Sequence, residues 1–275
     1  MLFTGGGQWQ DCLLSTVVVF LVFLIGMTIF SYLNIVIEEL PREEAQEPLL
    51  TRLTKGRSTC PHCGHLWKIS ESIPVVSWLR YRGKCGYCFQ KISSRHTWIE
   101  ISGGVLAAAA VLYYGVSVAA LTVFLVFGVL MTIAMIDADT QYIPPELNIL
   151  LALIGIVSYW TLPEATVLER IIGVACISVP MILIVLIVPG GFGWGDIKMM
   201  AASGVLLGWK GNVTAFFIGL ILGGIYAVYL LLSKKKGRKE HFAFGPFLSI
   251  GIAVSMYAGI GVYLMNQYIG LIVRP

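Results

Sequence analysis

Eight apolar runs alternate with polar segments along the chain: Leu14–Ile37, Ile99–Tyr114, Val116–Ile136, Leu147–Leu162, Ile171–Val188, Ile197–Leu207, Val213–Leu232 and Phe244–Ile269. A helix needs about 20 apolar residues to cross a bilayer. Inside lipid its backbone must satisfy its own hydrogen bonds, which favours helices for runs of this kind. The pattern predicts an all-α polytopic membrane protein with about eight transmembrane helices. The sixth run is short and reads as a half-span or a re-entrant helix. A polar stretch of about 60 residues separates the first two runs. The expected organisation is therefore a first membrane helix over 1–38, an insert over 39–98 and a membrane bundle over 99–275.

Composition agrees with the pattern. The chain is 57% hydrophobic and 12% charged, against about 25% charged in a soluble domain. Met1 to Asp11 carries no Lys or Arg, so it lacks the basic start of a secretory signal, and the first run is expected to stay as an anchor. Lys and Arg between the runs set the orientation. Ten fall in Glu38–Trp98 and five in Lys234–His241. With eight spans and the N-terminus outside, both segments and Lys198 lie on the cytosolic face. Only Arg170, Lys210 and Arg274 then lie outside, and a seven-span chain would put Lys234–His241 on the wrong side. No basic patch interleaved with aromatics suggests nucleic acid.

The insert contains Cys60-Pro-His-Cys63 and Cys85-Gly-Tyr-Cys88, with 21 residues between the pairs. Two such pairs at this separation are a strong zinc signal, and four thiolates close a tetrahedral site with a structural role. Disulfides are rare in the cytosol, so the spacing predicts a small cytosolic zinc knuckle held by Cys60, Cys63, Cys85 and Cys88. Cys12 and Cys176 sit at or inside apolar runs and read as small apolar residues.

The chain has four aspartates. Asp11 is near the N-terminus. Asp137 and Asp139 lie in Met135-Ile-Asp-Ala-Asp-Thr-Gln-Tyr-Ile-Pro144, and Asp196 lies in Gly191-Phe-Gly-Trp-Gly195-Asp196-Ile-Lys198. Both motifs fall at the same membrane face. Ionisable groups at membrane depth suggest function by default. Two carboxylates brought together share a proton, so one can act as base toward a water while the other acts as acid. Gly191, Gly193 and Gly195 are expected to allow a sharp turn into the sixth run and close approach of a backbone. Asp196 is expected near a helix N-terminus, where the dipole favours negative charge.

These motifs, in this order, resemble the type IV prepilin peptidase family. The resemblance also rests on Ser31-Tyr-Leu-Asn34-Ile-Val-Ile37, Leu40-Pro41, Ile73-Pro74, Ser77-Trp78-Leu79, Arg82-Gly83-Lys84-Cys85, Ile92-Ser93-Ser94-Arg95, Glu100 and Phe244-Gly245-Pro246-Phe247. The chain departs from the family pattern at Glu39, Ser72, His96-Thr97, Thr140 and Pro145-Glu146. The resemblance implies a membrane-embedded aspartic endopeptidase, with Asp137 and Asp196 as catalytic residues on different helices. It implies cleavage after a glycine that ends the basic leader of a type IV prepilin or pseudopilin, at the cytosolic face of a bacterial inner membrane. It further implies methylation of the new N-terminus, with S-adenosylmethionine as donor. The alternatives are a peptidase that does not methylate, a non-catalytic zinc-knuckle scaffold of a secretion complex, and a cation transporter. Glu38, Glu39, Glu43, Glu44 and Glu47 form an acidic run that could receive a basic leader.

Overall fold

In the computed structural model the described residues are 8–41, 63, 84–90, 94–162, 165–188, 190–233 and 242–272. Among them the regular elements are helices: α1 (Gln8–Glu39), α2 (Arg95–Tyr114), α3 (Val118–Thr140), α4 (Pro145–Thr161), α5 (Val167–Ile187), α6 (Trp194–Leu232), α7 (Gly245–Met256) and α8 (Ile260–Ile272). Cys60, most of the insert, Glu43, Glu44, Glu47 and the loop Lys234–His241 lie outside the described residues.

Among the described residues, five helices are long and apolar enough to cross a membrane, and the α7–α8 pair, bent by 82°, would make a sixth. At 17 residues, α4 is shorter. Large side chains such as Leu153, Trp160, Ile171, Leu186 and Ile187 are exposed, which suits a surface facing lipid rather than water. The chain divides into two compact units, Met1–Ala120 and Leu121–Pro275.

In the first unit α1 packs on α2 through small residues. A Cβ on Gly26 would stand 2.6 Å from the Ala107 Cβ, and one on Gly103 would run into Phe30. Close backbone approach of this kind holds helices together where lipid removes the hydrophobic drive. Polar contacts cluster at one end. Ser31 Oγ donates to Glu100 Oε1 at 2.7 Å, Asn34 Nδ2 donates to the His96 carbonyl at 3.4 Å, and His96 Nε2 lies 3.5 Å from Glu38 Oε1.

The second unit is organised by a break in α6. At 39 residues α6 would be about 58 Å long if straight, nearly twice the bilayer core. Gly208 breaks it, with φ 69° and ψ 176°, a left-handed conformation that a glycine adopts without strain. Beyond it the chain doubles back. Asn212 Nδ2 donates to the Met200 carbonyl at 3.0 Å, Ser203 Oγ donates to Asn212 Oδ1 at 2.7 Å, and the Phe216 ring lies 6.2 Å from Phe192. No continuous helix brings residues 12 or 24 apart together in this way. The sixth and seventh apolar runs are thus the two arms of a hairpin, and the sixth is the short arm. The eight runs of the sequence correspond to α1 through α5, these two arms, and the bent α7–α8 pair.

The break leaves carbonyls at the end of the short arm without intrahelical partners. Arg170, near the start of α5, supplies the donors. Its Nη1 lies 2.7 Å from the Val205 carbonyl, 3.1 Å from Leu206, 3.0 Å from Gly155 and 2.7 Å from Ser158 Oγ. Nη2 and Nε reach the Leu162 and Ala165 carbonyls at 3.1 and 3.3 Å. By charge count Arg170 is simply an outer-face residue. In the fold it is buried, tying the ends of α4, α5 and the short arm of α6 together. Asn212 adds a second tie, donating to the Gly173 carbonyl of α5 at 2.9 Å.

Candidate active site

α3 carries Asp137 one turn before its end. Ile133 and Ile136 on the same helix are fully buried, Asp137 is 5% exposed, and Asp139 is exposed. Residues two apart on a helix face different sides, and here only the first of the two aspartates turns inward. Helix α3 stops at Gln141, whose φ is 56°. Pro144 follows in extended conformation, and Pro145 opens α4 at its first position, where the missing N–H costs nothing.

Asp137 Oδ2 accepts the backbone N–H of Gly245 at 2.8 Å, across 108 residues of sequence. A Cβ on Gly245 would lie 2.8 Å from that same oxygen, so the close approach requires a glycine. This gives the Phe244-Gly245-Pro246-Phe247 motif a place: the first turn of α7 delivers an amide to a buried carboxylate.

Asp196 is 8% exposed and sits in the first turn of α6. Its Oδ2 accepts the N–H of Gly193 at 3.3 Å, which fixes the carboxylate over the start of the helix. The glycine run acts differently from the sequence-based expectation. The left-handed residue is Gly190, with φ 83°, and the helix-capping Gly193 is extended, with φ −72° and ψ 143°. Gly193 and Gly195 matter for room. A Cβ on Gly193 would come to 3.0 Å from Asp196 Oδ2, and one on Gly195 would come to 2.9 Å from the Ile143 Cβ.

Asp137 and Asp196 are brought together, close enough for the charge of one to act on the other. The Phe192 ring, just before Gly193, lies 6.0 Å from the Phe244 ring, just before Gly245. The two segments that donate amides to the carboxylates are therefore in contact. Asn148, in the first turn of α4, donates from Nδ2 to the Gly195 carbonyl at 3.4 Å. A buried pair of carboxylates, each fixed by a backbone amide, can hold one proton between them and exchange it with a bound reactant. Nothing in the sequence singles out Asn148 or gives Gly245 a role, since both act only through contacts distant in sequence.

The second cluster is cysteine. The Sγ atoms of Cys63, Cys85 and Cys88 all lie within 4.8 Å of one another, with Cys63 and Cys85 at 3.9 Å. The segment from Cys85 to Gln90 is a tight turn: Cys85 N–H donates to the Gln90 carbonyl at 2.9 Å, Phe89 N–H donates to the Cys85 carbonyl at 3.0 Å, and Phe89 has φ 56°. This is the one group of three or more metal-ligating residues among the described residues. Cys60, the fourth expected ligand, lies outside them.

Comparison with known proteins gives two adjoining matches. A model of the bacterial peptidase A24 N-terminal domain matches residues 24–114, and a model of the type IV leader peptidase family matches residues 123–228. A prepilin leader peptidase/N-methyltransferase of Burkholderia pseudomallei (strain 1026b) is 31% identical over 265 residues, covering 88% of this chain and 86% of that protein. A protein of the same description from Pseudomonas putida is 30% identical, covering 89% and 92%. One from Neisseria gonorrhoeae is 31% identical, covering 86% and 89%. No solved structure matches the chain.

Proposed function

Because the chain belongs to the type IV leader peptidase family, we propose that it is a membrane-embedded aspartic endopeptidase that cuts the basic leader from type IV prepilins or pseudopilins after glycine. The observation that carries the mechanism is the pairing of Asp137 with Asp196. One carboxylate removes a proton from a water as its oxygen attacks the scissile carbonyl carbon. The other, protonated, donates its proton to the carbonyl oxygen; the first then passes the proton it took from water to the leaving nitrogen as the C–N bond breaks, and the second recovers a proton from the tetrahedral hydroxyl as the new carboxyl group forms. No covalent intermediate or metal is needed. The site faces the cytosol, where the charge count puts this end of the helices, with the N-terminus outside in a bacterial inner membrane.

The same protein transfers a methyl group to the amine that cleavage exposes, as its relatives' description includes N-methyltransferase. S-adenosylmethionine supplies that methyl group. The direct test is incubation of purified protein with a prepilin, with and without S-adenosylmethionine, read by intact mass. Loss of the leader in both reactions, with one methyl group added only in the second, is the expected result. A substrate that keeps its leader would overturn the reading.

The cysteine cluster holds zinc. Four thiolates at about 2.3 Å from a tetrahedral ion stand about 3.8 Å apart, which matches the 3.9 Å between Cys63 and Cys85. Cys60 completes the set, and the site is structural because no position stays open. Zinc organises the insert over 39–98, and the bundle over 99–275 performs the cleavage. Elemental analysis of reduced protein should find one zinc per chain, and Cys85→Ser or Cys88→Ser should lose most of it. A ratio near zero in the unmodified protein would exclude the site.

A further inference from the structure

Asn148 is 5% exposed. Its Nδ2 is committed to the Gly195 carbonyl at 3.4 Å, and that contact fixes the carboxamide, since a carbonyl can only accept. The other end, Oδ1, is buried and has no hydrogen-bond partner. Leaving a buried acceptor unpaired is costly, and native proteins seldom do so without a reason. This one stands beside the residue that precedes Asp196, on the first turn of α4. The neighbouring Ile143 packs against Gly195 from the same connection. An asparagine that only braced Gly195 would need its amide group alone.

We propose that Asn148 is a positioning residue for the substrate: its Oδ1 accepts a backbone N–H of the peptide that lies across Asp196. This deepens the peptidase reading above and rests on it. An extended peptide exposes an N–H and a carbonyl at every residue, and a fixed acceptor selects one register for the strand. Set next to Asp196, such an acceptor holds the scissile carbonyl where the carboxylates can reach it. A bound water is the other source of a donor.

The test changes both partners. In a full-length prepilin, single backbone amides near the cleavage point, the scissile amide itself left intact, are replaced by esters, which removes one N–H at a time. Wild-type protein must first cleave the unmodified substrate, and failure there would defeat the peptidase reading itself. One ester position should then lower kcat/KM roughly five- to tenfold. In Asn148→Leu, unmodified substrate should lose a similar factor, and the penalty of that ester should vanish. An ester penalty that persists in Asn148→Leu would overturn the proposal and point to a bound water. The ester series needs no altered protein, so the proposal stays falsifiable if Asn148→Leu does not fold: no sensitive position in the wild type would also defeat it.

Discussion

Replacing either Asp137 or Asp196 with Asn is expected to cut prepilin cleavage by at least 10²- to 10⁴-fold, the range for loss of a general acid or base. Asn keeps the size of the side chain and can still accept the Gly245 or Gly193 amide through its carbonyl oxygen. The fold should therefore survive, and thermal unfolding in detergent should differ little from wild type. Asp139→Asn is the internal control. Asp139 is exposed, two residues from Asp137 on the other side of α3, and its loss should leave cleavage within about twofold, as for most surface changes. Initial rates on a purified prepilin decide the matter. Full activity in Asp196→Asn would remove the mechanism. Full activity in Asp137→Asn with none in Asp139→Asn would move the first role to Asp139.

The second large effect is on stability. Arg170→Met should destabilise the protein by about 3 kcal/mol or more, because several buried carbonyls lose their donor at once and each such loss costs about 1–3 kcal/mol. Val205 and Leu206 have no helical alternative, since Gly208 ends their arm. Arg170→Lys should rescue only part of this. An ammonium is a compact charge with three donors, whereas the guanidinium is a rigid fork with five. Unfolding curves of the three proteins in one detergent check the order wild type, Lys, Met. Equal stability of Arg170→Met and wild type would show that the carbonyls find other partners. Cleavage should fall along with stability, because Asp196 rides on the arm that Arg170 secures.

Much of this architecture can be read from the residue pattern. Lipid imposes a long apolar run on each helix, so the runs around Val123 and Met181 announce themselves. The rarity of aspartate singles out Asp137 and Asp196. Between Asp137 and Asp139 the family resemblance chooses the first, and the rotation of α3, which a helix hydrophobic on nearly all sides does not encode, turns that one inward. The reversal at Gly208 is equally hidden. One glycine among thirty looks like the others until its φ is known, and the evidence for the hairpin is the contact of Asn212 with Met200 and Ser203. Arg170 reads as one more loop charge because its acceptors are backbone carbonyls, which every residue has. The glycines before Asp196 stand out in the sequence, but how they divide the work does not: Gly190 takes the left-handed φ, Gly191 closes the turn onto Val188, and Gly193 and Gly195 leave room.

The hydrogen bond from Gly245 to Asp137 also bears on the order of biosynthesis. A ribosome delivers α3 to the membrane long before α7, and 104 residues separate Thr140 from Gly245. During that interval Asp137 lacks the amide that fixes it in the finished protein. On the proposed mechanism, the nascent chain carries both aspartates through insertion without an assembled catalytic pair. Completion of the last helices is itself the maturation step, and a chain truncated after Leu232 would be inserted but unable to cut.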